Sequence, residues 1–492
     1  MADQIILNPA DSVAILTARG VAPQGHKVAL RAMAPGEAVI KYGQVIGYAT
    51  APISPGEHVH THNMVFGEHG RDYAPGAGLA AAEAARDRFA GPQDSFLGYH
   101  RPGGQVGTRN FIALVATVNC SATVIRRAAE ELRIEGALDA YPNVDGVAAF
   151  AHGTGCGMAA TGEGFGALQR VLAGHAGHPN VAAALFVGLG CEVMQIARMK
   201  QELGEAARFH GLTIQETGGT RATIDAIKAR VREMLPEVNR ATRAPAPLSA
   251  LAIGLQCGGS DGLSGVTANP ALGVACDMLA AQGASVVLSE TSEIYGAERL
   301  LLERVARPEL AERLLAQIRW WEDYCARNGG SMDNNPSPGN KAGGLTTILE
   351  KSLGAVAKAG SSPLNDVLAY GAPITAPGLS FMDTPGYDPV SVTGQIAGGA
   401  QLIVFTTGRG SAFGSKPAPT IKLATNDRLY AAMPDDMDLN CGDVLSRGVS
   451  LEDKAREIVA LIVATASGQV TKSEALGLGD NEFVPWQIGA VM

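Results

Sequence analysis

The sequence lacks the features that would assign it to an exported or membrane-bound class. No segment approaches the roughly 20 consecutive apolar residues that a membrane-spanning helix requires. No basic stretch followed by an apolar one, as in a secretory signal peptide, occurs near the N-terminus. The seven cysteines are odd in number and scattered over 492 residues, which is not typical of a disulfide framework. We therefore expect a protein of the reducing cytoplasm.

Clusters of basic residues are also missing. The chain has 39 Lys and Arg against 48 Asp and Glu, a net charge of −9, and no run of positive residues. This balance disfavours nucleic acids and anionic membranes as partners. Glycine is abundant, with 61 residues, and it concentrates around short apolar runs. Turns of this kind let the backbone approach a small ligand closely, so we expect a small-molecule partner.

The pattern of apolar residues divides the chain into three parts, 1–92, 93–244 and 245–492. Short runs separated by Pro-Gly and Tyr-Gly turns predict a small β-barrel or clip before residue 66, followed by a connector. Beyond it, buried apolar runs alternate with helical patterns, which predicts two α/β domains with mainly parallel sheets. The predicted fold class is therefore multidomain α/β. Strands are expected at 250–256, 284–289, 402–407 and 421–424, helices at 121–135, 195–209, 296–328, 346–358 and 452–468, and a Pro-rich linker at 240–248.

Four cysteines follow apolar runs of strand length and lie at turns of small residues: Cys120, Cys156, Cys191 and Cys257. Ligands of parallel sheets bind at the carboxyl ends of the strands, where these thiols are expected. Three interpretations are open. The thiols are small hydrophobic groups in tight turns, ligands of iron or an iron–sulfur cluster, or, in one case, a nucleophile. No pair has C-x-x-C spacing, so a metal site requires the cysteines to converge in the fold.

Three histidines alternate in the segment His58-Val-His60-Thr-His62. Alternate residues of an extended segment lie on one side, so the three rings should be neighbours. Imidazoles that are close enough to share one ion form a plausible metal site, with His60 and His62 as the predicted ligands. The alternative is a polar strand edge.

Several polar groups follow the other predicted strands. The Gly-rich loop at 256–270 offers backbone N–H groups and hydroxyls to a carboxylate, and Arg409, flanked by glycines, suits bidentate recognition of the same group. Lys341 and Lys351 are either cations for the substrate or general bases, or, for Lys351, a solvated lysine. Glu290 and Glu293 lie at the end of another predicted strand, where a carboxylate is a metal ligand, an acid or a simple helix cap. The predicted substrate-binding residues are Ser260, Asp261, Asn269, Asn340, Arg409 and Lys422. The predicted catalytic residues are His152, Lys341 and Glu290.

Longer segments resemble the altronate/galactarate dehydratase family over essentially the whole chain. They are residues 25–30, 39–43, 56–63, 188–192, 257–270, 335–344 and 407–410. The resemblance implies an N-terminal β-clip domain of the SAF type and α/β domains after it. It also implies iron- or manganese-dependent loss of water from sugar acids.

The histidine series resembles the altronate branch of that family. The implied reaction converts D-altronate to 2-dehydro-3-deoxy-D-gluconate, with Fe²⁺ as cofactor and Mn²⁺ or an iron–sulfur cluster on the strand-end cysteines as alternatives. Other expectations are a galactarate, aldonate or aldarate dehydratase, or a sulfolactate-type sulfo-lyase, whose similar clip is a separate small subunit. A sugar-acid sensor is the expectation from a different class. We also expect a homo-oligomer, a dimer.

Overall fold

A computed structural model of the protein describes residues 4–67, 70–92, 94–204 and 206–489. Its architecture confirms the predicted fold class, because a small antiparallel β domain precedes two α/β units with parallel sheets. Gln93, at the predicted end of the connector, lies outside the described residues. None of the described helices is both long and apolar enough to span a bilayer.

Residues 4–67, here called the clip, contain only short strands. These are β1 (Gln4–Ile5), β2 (Val13–Leu16), β3 (Lys27–Ala29), β4 (Ala38–Lys41), β5 (Gln44–Ala49), β6 (His58–Val59) and β7 (Met64–Val65). They form antiparallel sheets in the orders β1-β2-β3-β6 and β4-β5-β7. Tyr42 and Gly43 both have positive φ, 60° and 68°, as a two-residue type I′ hairpin turn requires.

The connector after the clip is partly helical. It contains α1 (Leu79–Asp87) and is followed by the strands β8 (Ser95–His100) and β9 (Val106–Gly107). The helix has the sequence Leu-Ala-Ala-Ala-Glu-Ala-Ala-Arg-Asp, and alanine has the highest helix propensity, which explains why this stretch is not irregular.

The second unit is a four-stranded parallel sheet of order β11-β10-β12-β13. Its elements are β10 (Phe111–Ala116), α2 (Asn119–Ile134), β11 (Gly146–Phe150), α3 (Glu163–Ala176), β12 (Val181–Gly188), α4 (Ile196–Glu202), β13 (Phe209–Thr213), α5 (Ile214–Thr217) and α6 (Thr220–Val238). All of β10 is buried because helices cover both faces of the sheet. The helix predicted at 195–209 is shorter than expected, since the chain turns into the edge strand β13 at its end.

The predicted linker at 240–248 is in part a strand. Residues Ala244–Pro247 form β14, which pairs antiparallel with β8 in a three-stranded sheet of order β14-β8-β9. Its prolines are tolerated because β14 is an edge strand and needs hydrogen bonds on one side only.

The C-terminal unit is a seven-stranded parallel sheet of order β17-β18-β16-β15-β19-β20-β21. Its strands are β15 (Ala252–Cys257), β16 (Ser285–Ser289), β17 (Leu364–Leu368), β18 (Gly378–Met382), β19 (Leu402–Thr407), β20 (Thr420–Ala424) and β21 (Leu439–Asn440). Its helices are α7 (Ala268–Ala281), α8 (Arg299–Leu302), α9 (Pro308–Arg327), α10 (Pro338–Ala342), α11 (Ile348–Val356), α12 (Asp388–Ala397), α13 (Asp427–Ala432), α14 (Asp443–Ser446), α15 (Leu451–Ala466) and α16 (Lys472–Ala475). The helix predicted at 296–328 is divided in two, because Pro308 begins a new helix at its first position.

Candidate active site

A buried acidic group lies at the carboxyl edge of the C-terminal sheet. Cys257 ends β15, Glu290 directly follows the neighbouring strand β16, and Glu293 lies in the short 3₁₀ turn Thr291–Glu293. One ligand atom from each residue lies within 4.8 Å of the other two, and all three residues are buried. The Cys257 thiol donates a hydrogen bond of 3.2 Å to Glu293 Oε2. Within the described ranges no other three cysteines, histidines or carboxylates converge as closely.

Two buried lysines face this acidic group. Lys351 Nζ donates to Glu293 Oε1 at 2.5 Å and to Asn335 Oδ1 at 2.7 Å, and Asn335 Nδ2 donates to the same Glu293 oxygen at 2.9 Å. Lys358 Nζ lies 3.9 Å from Glu290 Oε2. Burial opposes ionisation of Glu293, but Lys351 and Lys358 outweigh it and lower the pKa of this carboxyl group. Glu293 is therefore a fully hydrogen-bonded carboxylate.

Glu290 is paired with Lys358 but receives no hydrogen bond within the described ranges. Both of its carboxylate oxygens are buried and accept no hydrogen bond from the described residues. Burial and the neighbouring Glu293 raise the pKa of Glu290 well above its ordinary value, and burial raises the pKa of Cys257 to about 12. The backbone of Glu290 is in the left-handed region at φ 72°, an uncommon conformation for a residue with a side chain.

The donor set of this group fits a divalent metal ion. A buried carboxylate without a hydrogen bond needs a proton or a cation as its partner. A thiol and two carboxylates are ligands that iron and other first-row metals accept. Cys257, Glu290 and Glu293 could therefore hold the metal that the family resemblance implies.

The outer side of the group is formed by residues 385–388 and by Asn335. A Cβ atom on Gly386 would lie 3.3 Å from Glu293 Cγ, and one on Gly258 would lie 2.5 Å from Asp388 Oδ2. These glycines allow the segment to pack directly against the acidic group. Burial, followed by the charge of Glu293, raises the pKa of Asp388 to about 7. Asn335 and Asp388 are half-buried, so they form the side nearest to solvent.

A second cluster lies where the clip meets α10. The ring of His58 is 5.4 Å from the rings of His60 and His62 and 5.1 Å from that of His26, a residue that the sequence analysis did not include. His26 Nε2 and His60 Nε2 lie 3.3 and 2.9 Å from the carbonyl oxygens of Ala342 and Lys341. The clip therefore binds the end of α10 through its imidazoles.

Hydrogen bonding fixes the protonation of these rings. Carbonyl oxygens only accept, so His26 and His60 donate from Nε2. His26 Nδ1 then accepts from His58 Nε2 at 3.0 Å, which leaves His58 Nδ1 with a lone pair. Burial, followed by the nearby His26, lowers the pKa of His58 to about 4, so the ring is neutral at physiological pH. A neutral imidazole with a free lone pair can bind a metal.

Helix α11 joins the clip to the acidic group through two consecutive residues. Glu350 accepts from Lys27 Nζ and from Lys41 Nζ, both at 2.8 Å, and all three side chains are buried. The next residue is Lys351, which contacts Glu293. Burial opposes ionisation of Glu350, but the two clip lysines lower its pKa to about 2. The clip thus supplies the charges that hold α11 beside the acidic group.

Most of the predicted substrate-binding residues hold loops together. Asp261 accepts from Ser264 in its own loop and from Thr425 and Asn426 in the loop after β20, and so ties two loops. Asn269 bonds to Gly354 and Thr406, Asn340 to Ser337 and Ser260, and Lys422 to the Ser411 carbonyl. These polar groups are buried and hydrogen-bonded to protein.

Two predicted cations are more accessible. Arg409 is exposed, and its backbone N donates to the Gly259 carbonyl at 2.8 Å. Lys341 is half-buried beside the histidine cluster. Asn340, the neighbour of Lys341 in α10, donates to the Ser260 carbonyl at 2.9 Å. The segments that carry Lys341 and Arg409 therefore both contact the loop that follows Cys257.

The remaining predicted residues belong to the second unit. Cys120, Cys156 and Cys191 are exposed at the carboxyl edge of its sheet. His152 is buried, with Nε2 2.9 Å from the Ala116 carbonyl and Nδ1 accepting from Thr154 N at 3.2 Å, so both ring nitrogens bond to the backbone. The structure brings Cys257 together with Glu290, and not with these three thiols.

Sequence reasoning gave no role to Asn335, Lys358 or Asp388. Lys358 had a detectable signal, since it is a single charge in the apolar stretch Leu-Gly-Ala-Val-Ala-Lys-Ala. A buried lysine requires a counter-charge, so this pattern predicts an ion pair. Asn335 and Asp388 lie in ordinary polar loop sequences that carry no such signal.

Comparison with known proteins agrees with this architecture. Three family models match successive parts of the chain: the altronate/galactarate dehydratase SAF domain at residues 12–67, the D-galactarate dehydratase/altronate hydrolase second domain at 98–239, and the D-galactarate/altronate dehydratase C-terminal region at 248–491. The clip therefore is a SAF domain.

Curated relatives cover nearly the whole chain. Altronate dehydratase of Bacillus subtilis (strain 168) is 36% identical over 455 residues, 92% of this chain and 89% of the relative. Galactarate dehydratase (L-threo-forming) of Escherichia coli (strain K12) is 35% identical over 467 residues, 93% of this chain and 88% of the relative.

Two subunits of another enzyme match separate parts. The beta subunit of (2R)-sulfolactate sulfo-lyase from Chromohalobacter salexigens is 32% identical over 397 residues, 79% of this chain and 96% of the subunit. The alpha subunit from Paracoccus pantotrophus is 52% identical over 48 residues, 10% of this chain and 72% of the subunit. With its three domain matches and its similarity to dehydratases over more than nine tenths of its length, the chain is a hydro-lyase that belongs to the altronate/galactarate dehydratase family.

Proposed function

We propose that this protein removes water from a sugar acid with the help of a divalent metal, with D-altronate as the first substrate candidate and 2-dehydro-3-deoxy-D-gluconate as the product. One observation carries the proposal: the carboxylate of Glu290 is buried without a hydrogen bond next to Cys257 and Glu293. The activity of the relatives supports the substrate class.

Cys257, Glu290 and Glu293 are the residues that would hold the ion, Fe²⁺ first and Mn²⁺ as the alternative. A bound divalent ion polarises the substrate oxygens and stabilises negative charge that develops at C2. The histidine cluster of the clip is the second proposed metal-binding position. There His60 and His62 lie beside His58, which is neutral and has a free Nδ1.

The surrounding residues would bind the substrate and move its protons. Arg409 packs against Gly259, two residues beyond Cys257, and would bind the carboxylate in bidentate fashion. Asp388, on the outer side, would accept the C2 proton, and Lys358, on the inner side, would protonate the departing 3-hydroxyl group.

Loss of the C2 proton and the C3–O bond leaves water and an enol, which rearranges to the 2-keto acid. Burial of the lysines and glutamates excludes other water molecules from this step. His152 has no part in this scheme, since both ring nitrogens bond to the backbone.

An anaerobic assay of the full chain tests the proposal. The protein is stripped with a chelator, reloaded with Fe²⁺ or Mn²⁺, and incubated with D-altronate, galactarate and other aldonates while 2-keto acid is measured. Glu290→Gln should lose activity. Cys441→Ser changes a buried thiol that directly follows the edge strand β21 and should retain activity. Absence of 2-keto acid from every sugar acid with either metal would contradict the proposal.

Elimination of sulfite from sulfolactate is the second candidate function. A stretch of 48 residues is 52% identical to the sulfo-lyase alpha subunit of Paracoccus pantotrophus, and 397 residues are 32% identical to a sulfo-lyase beta subunit. Including (2R)-sulfolactate in the same panel, with sulfite as the measured product, separates the two candidates.

A further inference from the structure

Three cysteine-bearing loops lie side by side at the carboxyl edge of the second sheet. The strands β11, β10 and β12 are adjacent in that order, and Cys156, Cys120 and Cys191 follow them respectively. Neighbouring strands are about 4.8 Å apart, so the three loops begin within about 10 Å of one another.

The loops are also bonded to each other. Asn119 N donates to the Thr154 carbonyl at 2.9 Å, and Val193 N donates to the Gly155 carbonyl at 3.2 Å. A Cβ atom on Gly155 would lie 2.2 Å from the Thr117 carbonyl oxygen, so only glycine lets the Cys156 loop approach β10 this closely. The three thiols therefore belong to one preformed surface.

The three thiols of this surface are accessible. Cys120, Cys156 and Cys191 are all exposed and free, whereas Cys257, Cys276 and Cys441 are buried. Cys120 is the second residue of the 16-residue helix α2. Cys156 and Cys191 directly follow Gly155 and Gly190, whose positive φ values of 98° and 126° are conformations that favour glycine.

The number and spacing of the ligands distinguish between metals. His152 bonds to the backbone through both nitrogens, and the carboxylate of Glu192 accepts from Thr117 Oγ1 at 2.9 Å and Gly190 N at 2.7 Å, so neither is available as a further ligand. A structural zinc site takes four protein ligands that converge on one ion. Within the described residues the three sulfur atoms do not all lie within 4.8 Å of one another, so they are too far apart to share a single ion.

We propose that Cys120, Cys156 and Cys191 bind a cubane iron–sulfur cluster, one that is separate from the Cys257–Glu290–Glu293 group. Three thiolates serve three of the four irons and leave the fourth open to a small oxygen ligand. Binding of the cluster does not rest on the proposed function.

Anaerobic reconstitution of the full chain with Fe²⁺, sulfide and a thiol tests the proposal. We expect about four irons and four acid-labile sulfides per chain, with broad visible absorbance. Cys120→Ser, Cys156→Ser and Cys191→Ser should each lose at least half of the bound sulfide, and the triple variant should lose all of it. Cys325→Ser is the matched control that should keep the full content of bound sulfide.

The far-ultraviolet circular dichroism of the triple variant should equal that of the native chain, because all three side chains are exposed. Bound metal without sulfide, or a full cluster in the triple variant, would overturn the proposal. Since neither readout uses a substrate, a chain that binds the cluster and fails to dehydrate altronate would refute only the proposed function.

Discussion

The second and the C-terminal sheets both place cysteines at the carboxyl ends of central strands, yet the thiols have opposite environments. Cys120, Cys156 and Cys191 are exposed, whereas Cys257 is buried among two glutamates and two lysines. The edge of the seven-stranded sheet is covered by the 3₁₀ turn after β16, by α11 and by residues 385–388, all from distant parts of the chain. The loops at the edge of the four-stranded sheet leave all three thiols exposed. The same local pattern thus gives a different chemistry according to what packs over it.

Thiol reactivity should show the largest difference between the two sheets. The pKa of Cys257 is raised by burial to about 12, so its thiolate fraction at neutral pH is about a thousandfold lower than that of an ordinary cysteine. We expect iodoacetamide to alkylate Cys120, Cys156 and Cys191 in the apoprotein at least that much faster than Cys257. Peptide mass spectrometry over a time course measures these rates. Equal alkylation rates of these cysteines in the folded chain would contradict the difference in thiol environment between the two sheets.

Glu290→Gln should lower kcat at least about 100-fold, as expected for loss of a charged group that stabilises the transition state. The folded state should be no less stable, because the substitution removes a buried carboxylate that has no hydrogen bond. Activity with saturating Fe²⁺ and the midpoint of urea unfolding provide the two measurements. Activity within threefold of the native chain would exclude the acidic group as the catalytic metal site.

The junction between the clip and α11 can be broken at Glu350. Glu350→Gln leaves Lys27 and Lys41 buried without a counter-charge and should reduce the free energy of unfolding by about 3–5 kcal/mol. Lys27→Met should cost less, since it leaves one lysine paired with Glu350. Urea unfolding of both variants measures the difference, and Glu131→Gln, in an exposed ion cluster of α2, is the control that should change little. A larger loss in Lys27→Met than in Glu350→Gln would contradict this account.

Lowering the pH should destabilise the four-stranded sheet of the second unit before the seven-stranded sheet of the C-terminal unit. Burial lowers the pKa of His152 and His175 to about 4 and that of His178 to about 3, from an ordinary value of 6.5. Between pH 6.5 and about 4 the unfolded chain therefore binds protons that the folded chain does not, and stability falls as the pH decreases. The last histidine in the sequence is His210, so the C-terminal sheet lacks this effect.

Hydrogen exchange at pH 7.5 and pH 5 measures this prediction. We expect the amides of β10–β13 to lose protection at pH 5 while those of β15–β20 keep theirs. His175→Gln, which cannot be protonated, should reduce the loss. Equal protection of both sheets at pH 5 would show that the buried histidines do not control acid stability.

The sequence was informative where the signal is local. Apolar runs predicted β15, β16, β19 and β20 closely, and the position of Cys257 at a strand end follows from the same pattern. The acidic group was harder to predict from the sequence. Asn335, Lys358 and Asp388 join it only through the strand order β18-β16-β15-β19, and no local pattern contains that order. Asp261 and Asn269 show how hard such residues are to interpret: their substrate-binding role stays a prediction, and in the structure both side chains bond to protein. A buried glycine-rich loop must satisfy its own polar groups, and such residues look the same in sequence as residues that bind a ligand.

The buried contact between Glu350 and the two clip lysines has a consequence for how the active chain is assembled. Sulfolactate sulfo-lyase relatives match this chain as two separate subunits, a beta subunit over 397 residues and an alpha subunit over 48. Here both are on one polypeptide, so charges that would otherwise have to find each other by diffusion are present at a high effective concentration. Dilution cannot separate the clip from α11, and every folded copy carries its histidines and its helix in a one-to-one ratio.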